Sequence, residues 1–446
     1  MYRCTFPART LPSTTIALVA ASIAFAPFAD AQGTARARDA RIAQLVSRHA
    51  PQAIELRHQI HQNPELGNRE FKTAELVASH LRTLGFDEVR TGIAHTGVVG
   101  VLKGGRPGPV VAVRADMDAL PVTEDTPFPF KSTVRTTYLG QEVGVMHACG
   151  HDIHTSVQLG VASVLASMRA EIPGTVLFIF QPAEEGPPPG EEGGASLMLE
   201  EGAFANPKPV AVFGLHALAD MEVGKVGYTP GPAMASADHF IATIKGKQAH
   251  GAAPNLSVDP IVMASQAVLA LQTIRSRNLS PFTPSVVTVG IVRGGTRFNI
   301  IPDEVMLEGT VRAFDSAVQD TVERRFNEIL DGITKAGGGS YTLTYERGYP
   351  VTVNDEALAA RMRPTLERLV GADNVLDLEP TTGAEDFSYF ANEVPGFFYR
   401  LGMVKPGTTS GGHHTPDFLA DDSSVPVGMK VMTGLLLDFL TANAAN

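Results

Sequence analysis

The stretch GTVLFIFQPAEEG, Gly174 to Gly186, decides how the chain reads. Its apolar run is unbroken, rich in β-branched and aromatic residues, and opened by Pro and Gly. That pattern fits a strand buried on both faces, as in a parallel sheet, rather than one that alternates between core and water. Three more runs read the same way: PVVAVRADM (109–117), PVAVFGLH (209–216) and PGFFYRLGM (395–403). Helical periodicity fills the spaces, from Arg41 to Leu84 and again where Val157, Val161, Val164, Leu165 and Met168 share one face. Strands alternating with helices predict an α/β catalytic domain with a largely parallel sheet flanked by helices.

Around Gly227 the texture changes to a Pro/Gly-rich junction, an alternating strand and the helical segment DPIVMASQAVLALQTIRS. Two more strand segments and a helix follow before the chain returns to long apolar runs. The expected division is a catalytic domain of residues 32–226 and 346–446, interrupted by a smaller inserted α+β domain of residues 227–345. About 415 residues after leader removal exceed the size at which one core keeps growing, so two domains are expected.

The first residues read as a secretory leader: Arg3 and Arg9, the apolar run IALVAASIAFAPFA, and a small-residue site ending at Ala31. Residues 1–31 are therefore set apart, the mature protein is expected in the periplasm or secreted, and no later segment reads as a membrane span. Removing Arg3, Arg9 and Asp30 from 36 basic and 47 acidic residues leaves a formal charge of −12, which disfavours nucleic acid as a partner. Cys4 leaves with the leader, so Cys149 is the single thiol of the mature chain. In an oxidising compartment such a thiol is expected to be buried, reactive or bound to metal.

Ligands of open α/β sheets sit beyond the carboxyl ends of the strands. Asp116 and Asp118, Glu184 and Glu185, and His216 all stand at or just after apolar runs. Cys149 and His151 open a helix in MHACGHDIHTS, and His413 and His414 follow the last run. Thiolate, imidazole and carboxylate together suit zinc, with cobalt, nickel and manganese as substitutes. Five candidate ligands exceed what one open catalytic zinc uses, whereas two ions sharing a bridging Cys149 would employ them all. A cysteine-nucleophile hydrolase and a non-catalytic periplasmic metal- or peptide-binding protein are the competing readings.

The ordered set RHQIHQNPELGNRE, MHACGHDIH, QPAEEG, GLHAL, KGKQAHGAAP, GAEDFSYF and HHTPDF resembles the M20 amidohydrolases, in particular hippurate hydrolases and the enzymes that hydrolyse auxin–amino acid conjugates. The resemblance spans nearly the whole mature chain. It implies two divalent ions held by Cys149, His151, Glu185, His216 and His414, with Glu184 as general base. It also implies that His250 stabilises the oxyanion, that Asn299 and Arg312 grip the substrate carboxylate, and that the insert mediates homodimer or higher assembly. The implied substrate is a small N-acyl amino acid, and some relatives of this branch hydrolyse ochratoxin. Arg114 stands where other branches carry a ligand histidine, so Asp116 is expected to support the ligands from behind, as is Asp152. The proline loop 186–193 is expected either to shape the pocket or to be plain surface.

Overall fold

The computed structural model describes residues 28–444, so residues 1–27 of the expected leader lie outside it. Among the described residues, those from Phe28 to Arg41, the start of the helix Phe28–Gln62, fall in one compact unit and those from Ile42 onward in the other.

In this larger unit the four apolar runs become the centre of an eight-stranded sheet. Its order is Glu88–Ile93, Gly97–Lys103, Pro173–Gln181, Arg106–Asp116, Val212–Glu222, Gly396–Val404, Val226–Tyr228 and Val375–Asp377. The four central strands run mutually parallel, while Glu88–Ile93 and Gly97–Lys103 extend one side antiparallel. Eight of the nine residues of Pro173–Gln181 are buried, as its unbroken apolar run requires.

Helices His151–Ser167 and Ser424–Asn443 pack together against this sheet. They approach closely because a Cβ on Gly160 would lie 2.5 Å from Met429 Sδ, and one on Gly428 would lie 2.8 Å from Val157 Cγ2. The helix Ser424–Asn443 corrects the expectation that no later segment could span a membrane: its length and composition would allow it. Its Leu435, Leu436 and Leu440 are instead fully buried in the core, which explains the apolarity.

A second, wholly antiparallel sheet orders Ser285–Gly294, Glu304–Ala313, Asp238–Lys245 and Ser340–Arg347. Asp238–Lys245 alternates buried and exposed positions, matching a sheet with one face covered. Helices Pro260–Thr273 and Ser316–Gly337 cover it. Asp259 caps the first by accepting from the Ile261 and Val262 N–H groups, and Asp315 caps the second through Ala317 and Val318. The edge strand Ser340–Arg347 had no clear sequence signal, since five of its eight positions face water and none is fully buried.

At the centre of this layer the Phe326 and Phe240 rings are fully buried with centroids 4.7 Å apart. Phe326→Ala should cost about 3–5 kcal/mol. Urea unfolding followed by circular dichroism checks this.

Candidate active site

The site begins where the central strands end. Asp116 closes its strand, and beyond Gln181 the chain turns through Ala183 (φ 50°) and Gly186 (φ 103°) to present Glu184 and Glu185. The early segment PELGNRE holds that turn. The Ala183 N–H donates to Glu70 Oε1 at 2.9 Å, and a Cβ on Gly67 would lie 3.0 Å from the Gly186 carbonyl oxygen. Cys149 and His151 flank Gly150, whose φ of 94° and tight approach to Ala217 favour glycine. His414 adopts φ 66° and donates its N–H to the Ala148 carbonyl at 2.8 Å, tying the last loop to the cysteine loop.

Six side chains converge. Cys149 Sγ lies 3.5 Å from His216 Nε2, His414 Nε2 lies 3.0 Å from Glu185 Oε1, and His151 Nε2 lies 3.9 Å from both Glu184 Oε2 and Glu185 Oε1. Cys149–His151–His216 and Cys149–Glu185–His414 each bring three donor atoms within 4.8 Å of one another, and Cys149 belongs to both sets. The backbone fixes which nitrogen each imidazole offers. His151 Nδ1 donates to the Asp118 carbonyl at 2.9 Å and His216 Nδ1 to the Ala217 carbonyl at 2.6 Å, which leaves both Nε2 atoms facing the cluster. His151 Nε2 is buried with no hydrogen-bond partner among the described residues, a state that a cation would relieve. Burial, then His154, Arg400 and His413, holds the His216 pKa well below the usual imidazole range, so His216 stays neutral as a ligand must.

His154 looks like a further ligand but has no free nitrogen: Nδ1 donates to Asp116 Oδ1 at 2.6 Å and Nε2 accepts from the Ala217 N–H at 2.7 Å. Asp116 thus reaches the cluster through His154 rather than directly. Asp152, expected to support it likewise, does not reach it. Its carboxylate takes Arg57 Nε at 2.9 Å and His61 Nδ1 at 3.0 Å, on the side of the early helix. Helical geometry accounts for this, because neighbouring positions point about 100° apart and His151 already faces the cluster.

Arg114 is buried completely and forms the hub behind the glutamates. It donates to Asp116 Oδ2 at 2.7 Å, to Glu385 Oε1 and Asp386 Oδ1 at 2.9 Å each, and to Gln181 Oε1 at 2.7 Å. Glu184 lies close to this group. Burial first, then Glu385, Glu185 and Asp386, raises its pKa well above the carboxylate norm. Glu385 and Asp386 carry the strongest signal that sequence reading left unused, in GAEDFSYF.

A cavity of about 540 Å³ opens on the cluster, walled by Cys149, Glu184, Glu185, His216, Arg400 and His414 among others. Glu185 also borders a second cavity of about 450 Å³, walled by Leu66, Leu120, Leu139, Pro188 and Pro189. The proline loop therefore shapes a pocket. It is pinned by Arg69 and Asn68 on Glu191. His250, Asn299 and Arg312 belong to neither wall. His250 is exposed, its Nδ1 accepting from the Ala252 N–H at 3.0 Å, and the Gly251 N–H donates to the Asn299 carbonyl at 2.8 Å.

Residues 112–438 match the family described as Peptidase family M20/M25/M40. The chain belongs to that family. It is 39% identical over 376 residues to an N-acetyl-L-cysteine deacetylase of Bacillus subtilis, covering 84% of this chain and 85% of that one. It is 38% identical over 396 residues to the IAA-amino acid hydrolase ILR1-like 2 of Arabidopsis thaliana, covering 88% and 86%. Among solved structures it resembles a Bacillus subtilis dinuclear metal-binding peptidase of the M20 family, with a TM-score of 0.76 and 34% identity over 89% of this chain and 99% of that one. As an M20 family member the chain is a metal-dependent hydrolase of amide bonds.

Removing the cationic hub of this M20 site should be severe. Arg114→Met strands Asp116, Glu385 and Asp386 without their cation and should cost about 3–5 kcal/mol, as loss of one partner of a buried ion pair does. Denaturant titration of both proteins is the check.

Proposed function

We propose that the chain is a two-metal amidohydrolase that cleaves N-acyl-L-amino acids into a carboxylic acid and a free amino acid. The convergence of two backbone-oriented imidazoles on a thiol that a second donor set, Glu185 with His414, shares carries this reading. Cys149, His151, Glu185, His216 and His414 would hold two divalent ions, with Cys149 common to both donor sets. The mixed S, N and O donors suit zinc best, with manganese, cobalt and nickel as alternatives. Bound there, the ions supply Lewis-acid polarisation of the amide carbonyl and acidify the attacking water.

Glu184 takes the proton from that water and passes it to the leaving nitrogen. Its raised pKa brings a carboxylate nearer to neutrality, where a group can both accept and return a proton. Its position is held by the Tyr349 hydroxyl, which donates to the Glu184 carbonyl oxygen at 2.7 Å. The relatives named for N-acetylcysteine and auxin–amino acid hydrolysis support the substrate class. The second cavity beside Glu185 offers an apolar stretch of Leu66, Leu120, Leu139, Pro188 and Pro189, which favours an aromatic acyl group or amino acid, as in hippurate or ochratoxin.

A nucleophilic role for Cys149 is disfavoured. Burial, then Glu185, pushes its thiol pKa up rather than down, opposite to what an activated cysteine needs.

In this reading residues 227–345 form a separate lid domain that pairs two subunits. Exposed Ile261, Val262, Leu269 and Val292 lie on the helix and edge strand available for pairing. His250, with Asn299 and Arg312, would then act on substrate in the partner's site. The leader motif supports a periplasmic or secreted location.

Chelation should abolish hydrolysis of hippurate, and zinc should restore it. Glu184→Gln should keep about two ions per chain by mass spectrometry yet lower kcat about 10²- to 10⁴-fold; unchanged turnover would sink the general-base role. Mixing His250→Ala with Glu184→Gln protomers should restore activity through hybrid dimers, and no recovery after verified subunit exchange would refute action across subunits.

A further inference from the structure

Two cavities meet at Glu185. The larger, of about 540 Å³, is walled by Glu184 as well, whereas the smaller, of about 450 Å³, touches Glu185 and Gly186 but not Glu184. The wall of the smaller one includes an element that takes no part in either large sheet. Strands Arg135–Tyr138 and Gln141–Gly144 pair with each other, in a hairpin whose Tyr138–Gln141 register leaves Leu139 and Gly140 as the turn. Its base is pinned, since a Cβ on Gly144 would lie 2.7 Å from Thr123 Cα, while a Cβ on Gly140 at the tip would meet nothing within 4 Å. Leu139 has φ 49° and Gly140 φ 77°, the backbone of a two-residue turn that favours Asn-Gly. A leucine there carries a conformational cost and stands 69% exposed to water, so folding alone does not account for it. Leu139 does belong to the cavity wall, with Leu66, Leu120, Pro188 and Pro189.

The side on which Glu184 stands decides which half of a substrate each cavity takes. Hydrolysis of an amide breaks the C–N bond: the water oxygen stays on the acyl carbon, and its proton leaves on the nitrogen. Glu184 delivers that proton, so the nitrogen and the amino acid it belongs to lie in the larger cavity, and the acyl group is directed past Glu185 into the smaller one. Resting on the amidohydrolase reading above, we propose that the hairpin of residues 135–144 is the acyl selector of this site, with Leu139 closing the apolar part of the smaller cavity over an aromatic acyl group. Pro188 and Pro189 give the same cavity a stiff wall, because their φ angles are fixed and their loop is held by Arg69 and Asn68 on Glu191. A bound ring takes the exposed leucine out of water, which a small acyl group does not.

The test changes one half of the substrate at a time. The ratio kcat/KM is measured for benzoylglycine against acetylglycine, which differ in the acyl group, and for benzoylphenylalanine against benzoylalanine, which differ in the amino acid. Leu139→Asn installs the residue that this turn prefers, so the hairpin is kept while its apolar tip is lost. It should lower the benzoyl-to-acetyl preference about 10-fold, the low end of what a small change of apolar contact in a pocket supplies, and leave the phenylalanine-to-alanine preference unchanged. Because each preference is a ratio within one protein, general damage to the fold or the metal centre cancels. An unchanged benzoyl-to-acetyl preference, or any shift of the phenylalanine-to-alanine preference, overturns the proposal. If the unsubstituted protein shows no chelator-sensitive hydrolysis of any N-acyl amino acid, the function reading fails by itself, and binding decides the role of the pocket. The chain has no tryptophan, so Tyr138→Trp places a single reporter in the wall of the smaller cavity. Benzoate should shift its emission in the metal-loaded protein and phenylalanine should not; the reverse, or no response to either, overturns the assignment.

Discussion

The structure of the site depends on one buried cation. Arg114 sits at zero exposure of its side chain, amid Asp116, Glu385 and Asp386, and without it three carboxylates would share a dry interior. Like charges at that density cannot all ionise, and protonation would cost the hydrogen bonds that orient them. Asp116 could then no longer hold the His154 ring, which in turn accepts the Ala217 N–H beside His216. Asp386 also accepts from Gln181 Nε2 at 2.8 Å and from the Ala195 N–H at 2.8 Å, so the same hub anchors the loop that follows the glutamates. The hub lies beside the cluster rather than in it, and it sets the electrostatic level at which Glu184 works.

The supports behind the cluster are mostly backbone. Carbonyls of Asp118 and Ala217 choose the imidazole tautomers, and the Glu185 N–H donates to Asp118 Oδ2 at 3.0 Å. Backbone acceptors do not change with side-chain repacking, which is why strand ends can hold a constellation to within the tolerance that catalysis requires. The parallel sheet supplies those ends side by side.

This explains what was legible in the sequence and what was not. The four central strands were readable because burial on both faces leaves no polar position to confuse the pattern. The residues just past them therefore marked the site: Glu184, Glu185 and His216 fall where the strands predict. The edge strand Ser340–Arg347 and the three-residue strands Val226–Tyr228 and Val375–Asp377 were poorly legible because exposure to water, or short length, weakens the same signal. Asp152 was misplaced because sequence adjacency to His151 says nothing of direction around a helix. Arg400 was hidden because a single charge in an apolar run reads as a tolerated exception, and only register with His216 shows which face it takes. Two of the partners of Arg114, Glu385 and Asp386, come from positions 271 and 272 residues away, a separation that no local pattern spans.

Glu184 and Glu185 show how environment separates two identical neighbours. Both approach His151 Nε2 to 3.9 Å, yet Glu185 turns to His414 while Glu184 turns to the carboxylates around Arg114. Glu185 thus finds cation-ready company: an imidazole and a thiol that release protons when an ion arrives. Glu184 finds anions, which raise its affinity for a proton. In the proposed reaction a ligand must prefer the metal and a base must prefer the proton. The adjacent positions meet the two demands through the left-handed turn at Ala183, which lets consecutive side chains diverge into the two environments.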